Sequence, residues 1–321
     1  MAKRGKQCYS GIGGQAVLEG IMMKNNENYA VAVRKPDGNI AVEMADYQGL
    51  LQGSRLKKLP FIRGIFNFVD SLILGYRCLN FSTAYYEEEE ISAKEGRVSD
   101  ETKEKLLTTC VMLVSIALAI GIFIVLPYWI SSLLDGFIRN RSLMLIIEGA
   151  IRIGIFLLYV TGISLMKDIR RLYQYHGAEH KCINCLERGK PLTVKNVMRS
   201  SRLHKRCGTS FIFFVLLVSI ILSFFITVDN PIYKVLLRVL MMPVVAGISY
   251  ELIRLAGRSN HFLVGLLSVP GMGIQRLTTK EPDESMAEVA IAAVEAVFDW
   301  RTYLKDHFGY EPEDAKMEKD I

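Results

Sequence analysis

His176-Gly177-Ala178-Glu179-His180 places two imidazoles and a carboxylate where they could share one metal ion. Residues four apart stand one above the other on a helix face, so His176 and His180 can reach a single cation. Glu179 lies one residue before the second histidine. In a His-x-x-Glu-His order such a glutamate is suited to act as general base on a water that the metal activates. This is the one part of the chain where side-chain types point to hydrolysis and not only to architecture.

The stretch 167–209 also holds Cys182, Cys185, His204 and Cys207, so it carries three of the five histidines and three of the six cysteines. Two arrangements compete for them. In the first, His176 and His180 bind a divalent metal, for which zinc suits a histidine-rich site. Glu251, 71 residues beyond His180, is the expected third ligand, since inverted zincins also draw a glutamate from a distant helix. An open fourth position would hold the water. In the second, Cys182-x2-Cys185 and His204-x2-Cys207, eighteen residues apart, close a structural zinc knuckle. A mixed site of His176, His180, His204 and Cys207 is a further arrangement. The plain alternative is that these groups only hydrogen-bond within a polar loop.

The elements that must position them are membrane-length. The chain has 321 residues, of which 50% are hydrophobic and 22% charged. That composition is too apolar for an ordinary soluble protein and too charged for a pure membrane bundle. Its formal charge of +6, gathered near apolar runs, favours anionic lipid headgroups over nucleic acid as partner. The scattered cysteines indicate thiols or metal ligands, not disulfides. No cleavable signal peptide is read at Met1–Ser10.

Four spans are expected: Leu106–Leu134, Ser142–Met166, Gly208–Val228, and Ile232 to about Leu252. Lys and Arg number eleven in 167–209, two in 135–141 and one in 229–234. The positive-inside rule then puts the long loop and both termini in the cytoplasm. Glu148 and Arg152 form an i, i+4 pair inside the second span, and Arg238 enters the fourth at similar depth. Glu148 should pair with Arg152, Arg238 or both, because an unpaired charge there is costly.

Residues 1–58 read as a small β unit, with strands in Gln15–Met23, Tyr29–Arg34 and Asn39–Ala45 and a turn at Pro36-Asp37-Gly38. Gln15 and Glu19 would share a strand face and meet the cytoplasmic loop, with a structural role favoured over ligation for Glu19. Gly11–Ala16 formally fits the dinucleotide fingerprint, but lacks the preceding strand and following helix that this motif requires. Residues 59–86 form an amphipathic helix, interfacial or re-entrant, or else buried, with Arg63, Asn67, Asp70 and Arg77 on one stripe. Residues 87–105 are a charged linker. Membrane hairpins at 106–166 and 210–256 flank the candidate loop. Within 257–321, Asn260–Leu277 is an apolar segment placed along the membrane surface, a packing helix runs from 281 to about Leu304, and a charged tail follows.

Several longer motifs agree with a known family. They are Gly13–Met23, Leu59–Gly64, Tyr175–His180, His204–Ser210, Gly247–Glu251 and Leu277–Asp283. Together they resemble the YqhQ-like family of bacterial multi-pass membrane proteins, defined by a domain of unknown function and labelled a predicted metal-dependent enzyme. The resemblance implies a bacterial plasma-membrane location and singles out His176, Glu179, His180, His204, Cys207 and Glu251. Cys182 stands outside that pattern, which weakens the knuckle. The expectation is a mainly α, polytopic membrane protein with about four spans, a small N-terminal β element and cytosolic helices. Its expected activity is metal-dependent hydrolysis of an unknown substrate at the cytoplasmic face. The rival is a non-catalytic scaffold or chaperone for membrane-protein clients, with a structural metal or none.

Overall fold

The computed structural model describes residues 7–92, 101–228, 230–258 and 262–310. Four antiparallel strands lie side by side in chain order: β1 (Gly13–Val17), β2 (Gly20–Asn25), β3 (Asn28–Arg34) and β4 (Ile40–Asp46). The expected strand Gln15–Met23 is in fact two. Leu18 and Glu19 form a tight turn between paired Val17 and Gly20, with Glu19 at φ 50°. Gln15 and Glu19 therefore do not share a strand face.

Helices follow: α1 (Ile62–Ser92), α2 (Glu101–Ile120), α3 (Leu126–Ser132), α4 (Arg141–Ile163), α5 (Lys167–Glu187) and α6 (Val194–Met198). The remainder are α7 (Gly208–Ser223), α8 (Pro231–Leu240), α9 (Met242–Arg258), α10 (Phe262–Thr278), α11 (Glu284–Val297) and α12 (Trp300–Phe308). The sheet is covered on both faces, which is why β3 reads as a continuous apolar run. Val17, Met22, Val31 and Val33 pack with Leu74 and Cys78 of α1. Ile21, Met23 and Ala32 pack with α5 and α11, around Tyr175, Ala178 and Met286.

Among the described residues, two helical runs are long and apolar enough to cross a bilayer. Leu106–Ser132 joins α2, a π-helical turn at Gly121–Val125 and α3; Arg141–Ile163 is α4. A third span exists only if α8 and α9, bent by 44°, are counted as one. Pro243 explains that break, since it lacks an N–H and its ring crowds the preceding turn. The expected third span is short. α7 has 16 residues, about 24 Å of helix against a hydrocarbon core of about 30 Å. Beyond its end, Arg141 takes up the Ile226 carbonyl at 2.6 Å.

The charges between these helices pair as anticipated. Glu148 accepts hydrogen bonds from Arg152 and Arg238, each at 2.8 Å, and a further ion-pair contact of Arg238 lies at 2.6 Å, with all three side chains buried. The polar stripe of α1 faces protein: Asn67 donates to Tyr250, while Asp70 takes Lys57, Tyr47 and the Leu50 amide. α1 runs on to Ser92 and α2 starts at Glu101, so the linker expected over 87–105 shrinks, and 93–100 lies outside the described residues. α10 packs along α7 and α9. The expected final helix is divided at Phe298-Asp299, and Asp283 caps its first part. Asn260 and the tail 311–321 lie outside the described residues.

Candidate metal centre

α5 carries His176, Glu179 and His180 on one face. Their surroundings are set by chain segments that cross it. A Cβ on Gly177 would lie 2.1 Å from the Lys280 carbonyl oxygen. Only glycine there lets the segment 278–280 pass so close, with Lys280 N–H bonded to Tyr173 O at 2.8 Å. The Thr278 carbonyl thereby reaches His176 Nδ1 at 3.0 Å, and the Arg202 carbonyl reaches His180 Nδ1 at 2.7 Å. A carbonyl can only accept, so both Nδ1 atoms carry the proton. Each Nε2 is left as a potential ligand atom, held in orientation as metal-binding histidines usually are.

The third donor is Cys207, which caps the N-terminus of α7 and accepts from the Thr209 amide at 3.4 Å. His176 Nε2 stands 3.1 Å from Cys207 Sγ. Ligand atoms of His176, His180 and Cys207 all lie within 4.8 Å of one another, the one such group among the described residues. Two imidazoles and a thiolate suit zinc. Burial pushes the Cys207 thiol up, but His176 and His180 outweigh it and hold the group well below the ordinary thiol range. Burial likewise disfavours charge on His176, and the Cys207 thiolate outweighs it, raising His176 to about 10.

Glu179 is buried beside this group, and burial raises its carboxyl above the usual range against the pull of His176 and His180. Its Oε2 has no hydrogen-bond partner. A Cβ on Gly14 would lie 2.9 Å from the Glu179 Oε1, so β1 presses its glycine backbone against the carboxylate. The residues thus fit a three-ligand ion, with the unsatisfied carboxylate oxygen of Glu179 buried beside them.

Other expected ligands lie elsewhere. Glu251 is taken by Arg63 in a two-pronged salt bridge and by the Phe61 amide at 3.3 Å. Gly64 and Gly247 let α1 and α9 touch at that point. Cys182 and Cys185 lie buried in the packing between α5 and α11, Cys185 Sγ being 3.5 Å from the Pro191 carbonyl oxygen. They do not join His204 and Cys207. His204 has its ring centroid 5.8 Å from that of His180, but its Nε2 turns to Glu187 at 3.5 Å. Burial keeps His204 below the ordinary imidazole range. Burial alone would raise Glu187; hydrogen bonds from His204 and Ser10 and the Arg206 charge hold it at about 2 instead. Glu19 does meet the loop, through Arg171 and the Tyr175 hydroxyl.

Three supports had no side-chain signal in the chain. Two are the carbonyls of Thr278 and Arg202. The third is Gln275, fully buried, which donates to the His204 carbonyl and Ser210 and accepts from the His204 amide at 2.9 Å. His176, Glu179, His180, His204, Cys207 and Thr278 line a cleft of about 1130 Å³. It runs from the apolar Phe156, Tyr159 and Ile163 of α4, past the histidines, to Gly11–Ala16 and Lys57.

No solved structure matches the chain. The uncharacterized protein YqhQ of Bacillus subtilis (strain 168) is 35% identical over 284 residues, covering 87% of this chain and 89% of the relative. The family described as "Protein of unknown function (DUF1385)" matches residues 59–300, and the chain belongs to that family.

Proposed function

We propose that this protein is a metal-dependent hydrolase working at the cytoplasmic face of a bacterial plasma membrane. The reading rests on one observation. Both histidines of α5 give their Nδ1 protons to backbone carbonyls, which turns both Nε2 atoms toward Cys207 Sγ. His176, His180 and Cys207 would hold the ion, with zinc the best match. A zinc ion bound there would act as Lewis acid toward water and a scissile carbonyl. Glu179 receives the proton of the attacking water and passes it to the leaving group. Its raised carboxyl suits that exchange near neutral pH. Thr209, whose amide and hydroxyl lie 3.4 Å from Cys207 Sγ and whose hydroxyl is 3.1 Å from that of Thr278, fixes the thiolate. Glu148 with its two arginines pins the membrane helices from which the cleft wall descends. α2–α3 and α4 cross the bilayer, and basic α5 with both termini stays cytoplasmic.

A second reading draws on the 3.1 Å approach of His176 Nε2 to Cys207 Sγ. A thiolate paired with an imidazolium is also the resting form of a cysteine nucleophile.

Elemental mass spectrometry of detergent-purified protein separates these. Stoichiometric zinc is expected in wild type and Glu179→Gln. His176→Ala, His180→Ala and Cys207→Ala should lose it, and Cys185→Ala should keep it. No metal in any preparation, zinc-loaded included, overturns the hydrolase reading. A metal-free protein alkylated at Cys207 by iodoacetamide would favour the thiol nucleophile. Failure of both would leave a scaffold for membrane proteins ahead.

A further inference from the structure

β1 is an edge strand, and the hydrogen-bonding phase of its free edge can be derived. Two-residue turns close β1–β2 at Val17↔Gly20 and β2–β3 at Asn25↔Asn28. The residues flanking such a turn are a hydrogen-bonded pair, and pairs alternate from there. In β2 the odd residues therefore bond to β3, in keeping with Arg34 N–H donating to the Glu19 carbonyl at 2.9 Å. Its even residues, Gly20, Met22 and Lys24, bond to Val17, Gln15 and Gly13. Gly14 and Ala16 are left with N–H and C=O directed off the sheet. That edge is not out in solvent away from the site. Gly11 to Ala16 all line the cleft that holds His176, Glu179, His180 and Cys207. Gly14 touches Glu179. β1 also runs along α5, with Glu19 at Arg171 and Tyr175, Gly14 at Glu179 and Ser10 at Glu187.

We infer that the substrate is a polypeptide, bound extended as an added strand on β1 so that its backbone passes Glu179. This rests on the hydrolase reading and names its substrate class. Two N–H/C=O pairs, at Gly14 and Ala16, match a strand's alternate residues and nothing in a lipid ester. The cleft volume of about 1130 Å³ accommodates several extended residues. The apolar wall of Phe156, Tyr159 and Ile163 receives side chains of a segment emerging from the bilayer.

The test uses the full chain in detergent as its Glu179→Gln variant, which should hold ligand without turnover. A synthetic pool of random decapeptides is passed over the immobilised protein and retained peptides are sequenced. The best is resynthesised with backbone N-methyl groups on odd or on even residues near its centre. One phase should weaken binding at least tenfold, and the other should leave it within about twofold. Ala16→Pro removes an outward N–H and leaves the β1–β2 ladder intact, so it should also weaken binding at least fivefold. Ala16→Gly should not. Equal loss in both phases, unchanged binding by Ala16→Pro, or retention of phosphatidylglycerol vesicles with no peptide retained would each overturn the inference. Zinc content, read on the same samples, separates this from failure of the metal centre. Zinc present with no phase effect sinks only the strand-addition reading. Zinc absent sinks the hydrolase.

Discussion

Replacing Gly177 by alanine sets two effects of opposite sign against each other. In a helix interior the methyl group is worth about 0.5–1 kcal/mol in favour of folding. At this position it also meets the chain. A Cβ would lie 2.1 Å from the Lys280 carbonyl oxygen and 3.4 Å from Pro282 Cδ. That oxygen belongs to backbone tied to Tyr173 O through the Lys280 N–H at 2.8 Å, so it cannot swing aside as a side-chain tip would. The segment must retreat by roughly 1 Å to recover ordinary contact, and overpacking of this kind costs about 1–3 kcal/mol. The Thr278 carbonyl, now 3.0 Å from His176 Nδ1, retreats with it and leaves hydrogen-bonding range. Losing such a partner lowers metal affinity about 10–100-fold, or about 1.4–2.8 kcal/mol. The control is Gly273→Ala on α10, where nothing lies within 4 Å of the added carbon. Zinc affinity by chelator competition and melting in detergent should both fall in Gly177→Ala and hold or rise in Gly273→Ala. A Gly177→Ala protein that binds zinc as wild type does, with a higher melting temperature, would refute the reasoning.

Three further outcomes are expected. Glu148→Gln leaves two buried guanidiniums without their shared carboxylate and should cost about 3–5 kcal/mol, read as lost thermal stability in detergent; a change below about 1 kcal/mol would remove the pinning role. Glu187 is held at about 2 when folded, below its ordinary 4.5, so its contribution is present above pH about 4.5 and lost as pH falls toward 2; unfolding measured against pH should show this acid loss in wild type and a flatter curve in Glu187→Gln. Metal-free His176 stays protonated up to about pH 10 and must be neutral to ligate, so zinc binding at pH 8 should release at least one proton; calorimetry in buffers of different ionisation enthalpy measures it, and no release would contradict the assigned ligand.

The long apolar helices were legible because their signals are local. A charge-free run such as Leu106–Leu134 needs no partner to be recognised as membrane-length. Spacing and depth left Glu148 to pair with Arg152, Arg238 or both, since buried charges seek each other, and it takes both. The errors arose where a local signal was sufficient for identity but not for length. α7 is apolar enough for a span yet stops at Ser223. Pro243 breaks the fourth span just where the apolar pattern continues. In the N-terminal unit, composition showed strand character in Gln15–Met23, but the Leu18-Glu19 turn has no Asn-Gly or Gly-Gly pair to announce it. Its cause is tertiary: Glu19, at φ 50°, is anchored by Arg171 and Tyr175 of α5.

The site teaches a narrower lesson about what spacing can decide. His176, Glu179 and His180 were recoverable because i, i+3 and i+4 share a face whatever the helix packs against. The rival knuckle of Cys182 and Cys185 supposes a loop over 167–209. α5 in fact continues as one helix to Glu187. At about 100° per residue, Cys182 lies about 200° from His180, and Cys185 about 180° from His176. A helix that presents the histidines to a metal must turn both cysteines away, into the packing with α11. Helical continuity keeps the two cysteines off the histidine face; it is their burial against α11 that removes the knuckle. Spacing did not rank Cys207, which entered only through the mixed arrangement, above Glu251 as the group that joins the two histidines. Glu251 and Cys207 were both expected at helix ends on the side of the histidines, and depth does not distinguish them. What does is a partner: Arg63 on α1 already occupies Glu251, while Cys207, at the cap of α7, stands 3.1 Å from His176. A metal-ligand assignment across helices is therefore a statement about which carboxylates and thiols are already taken, and only tertiary packing supplies that.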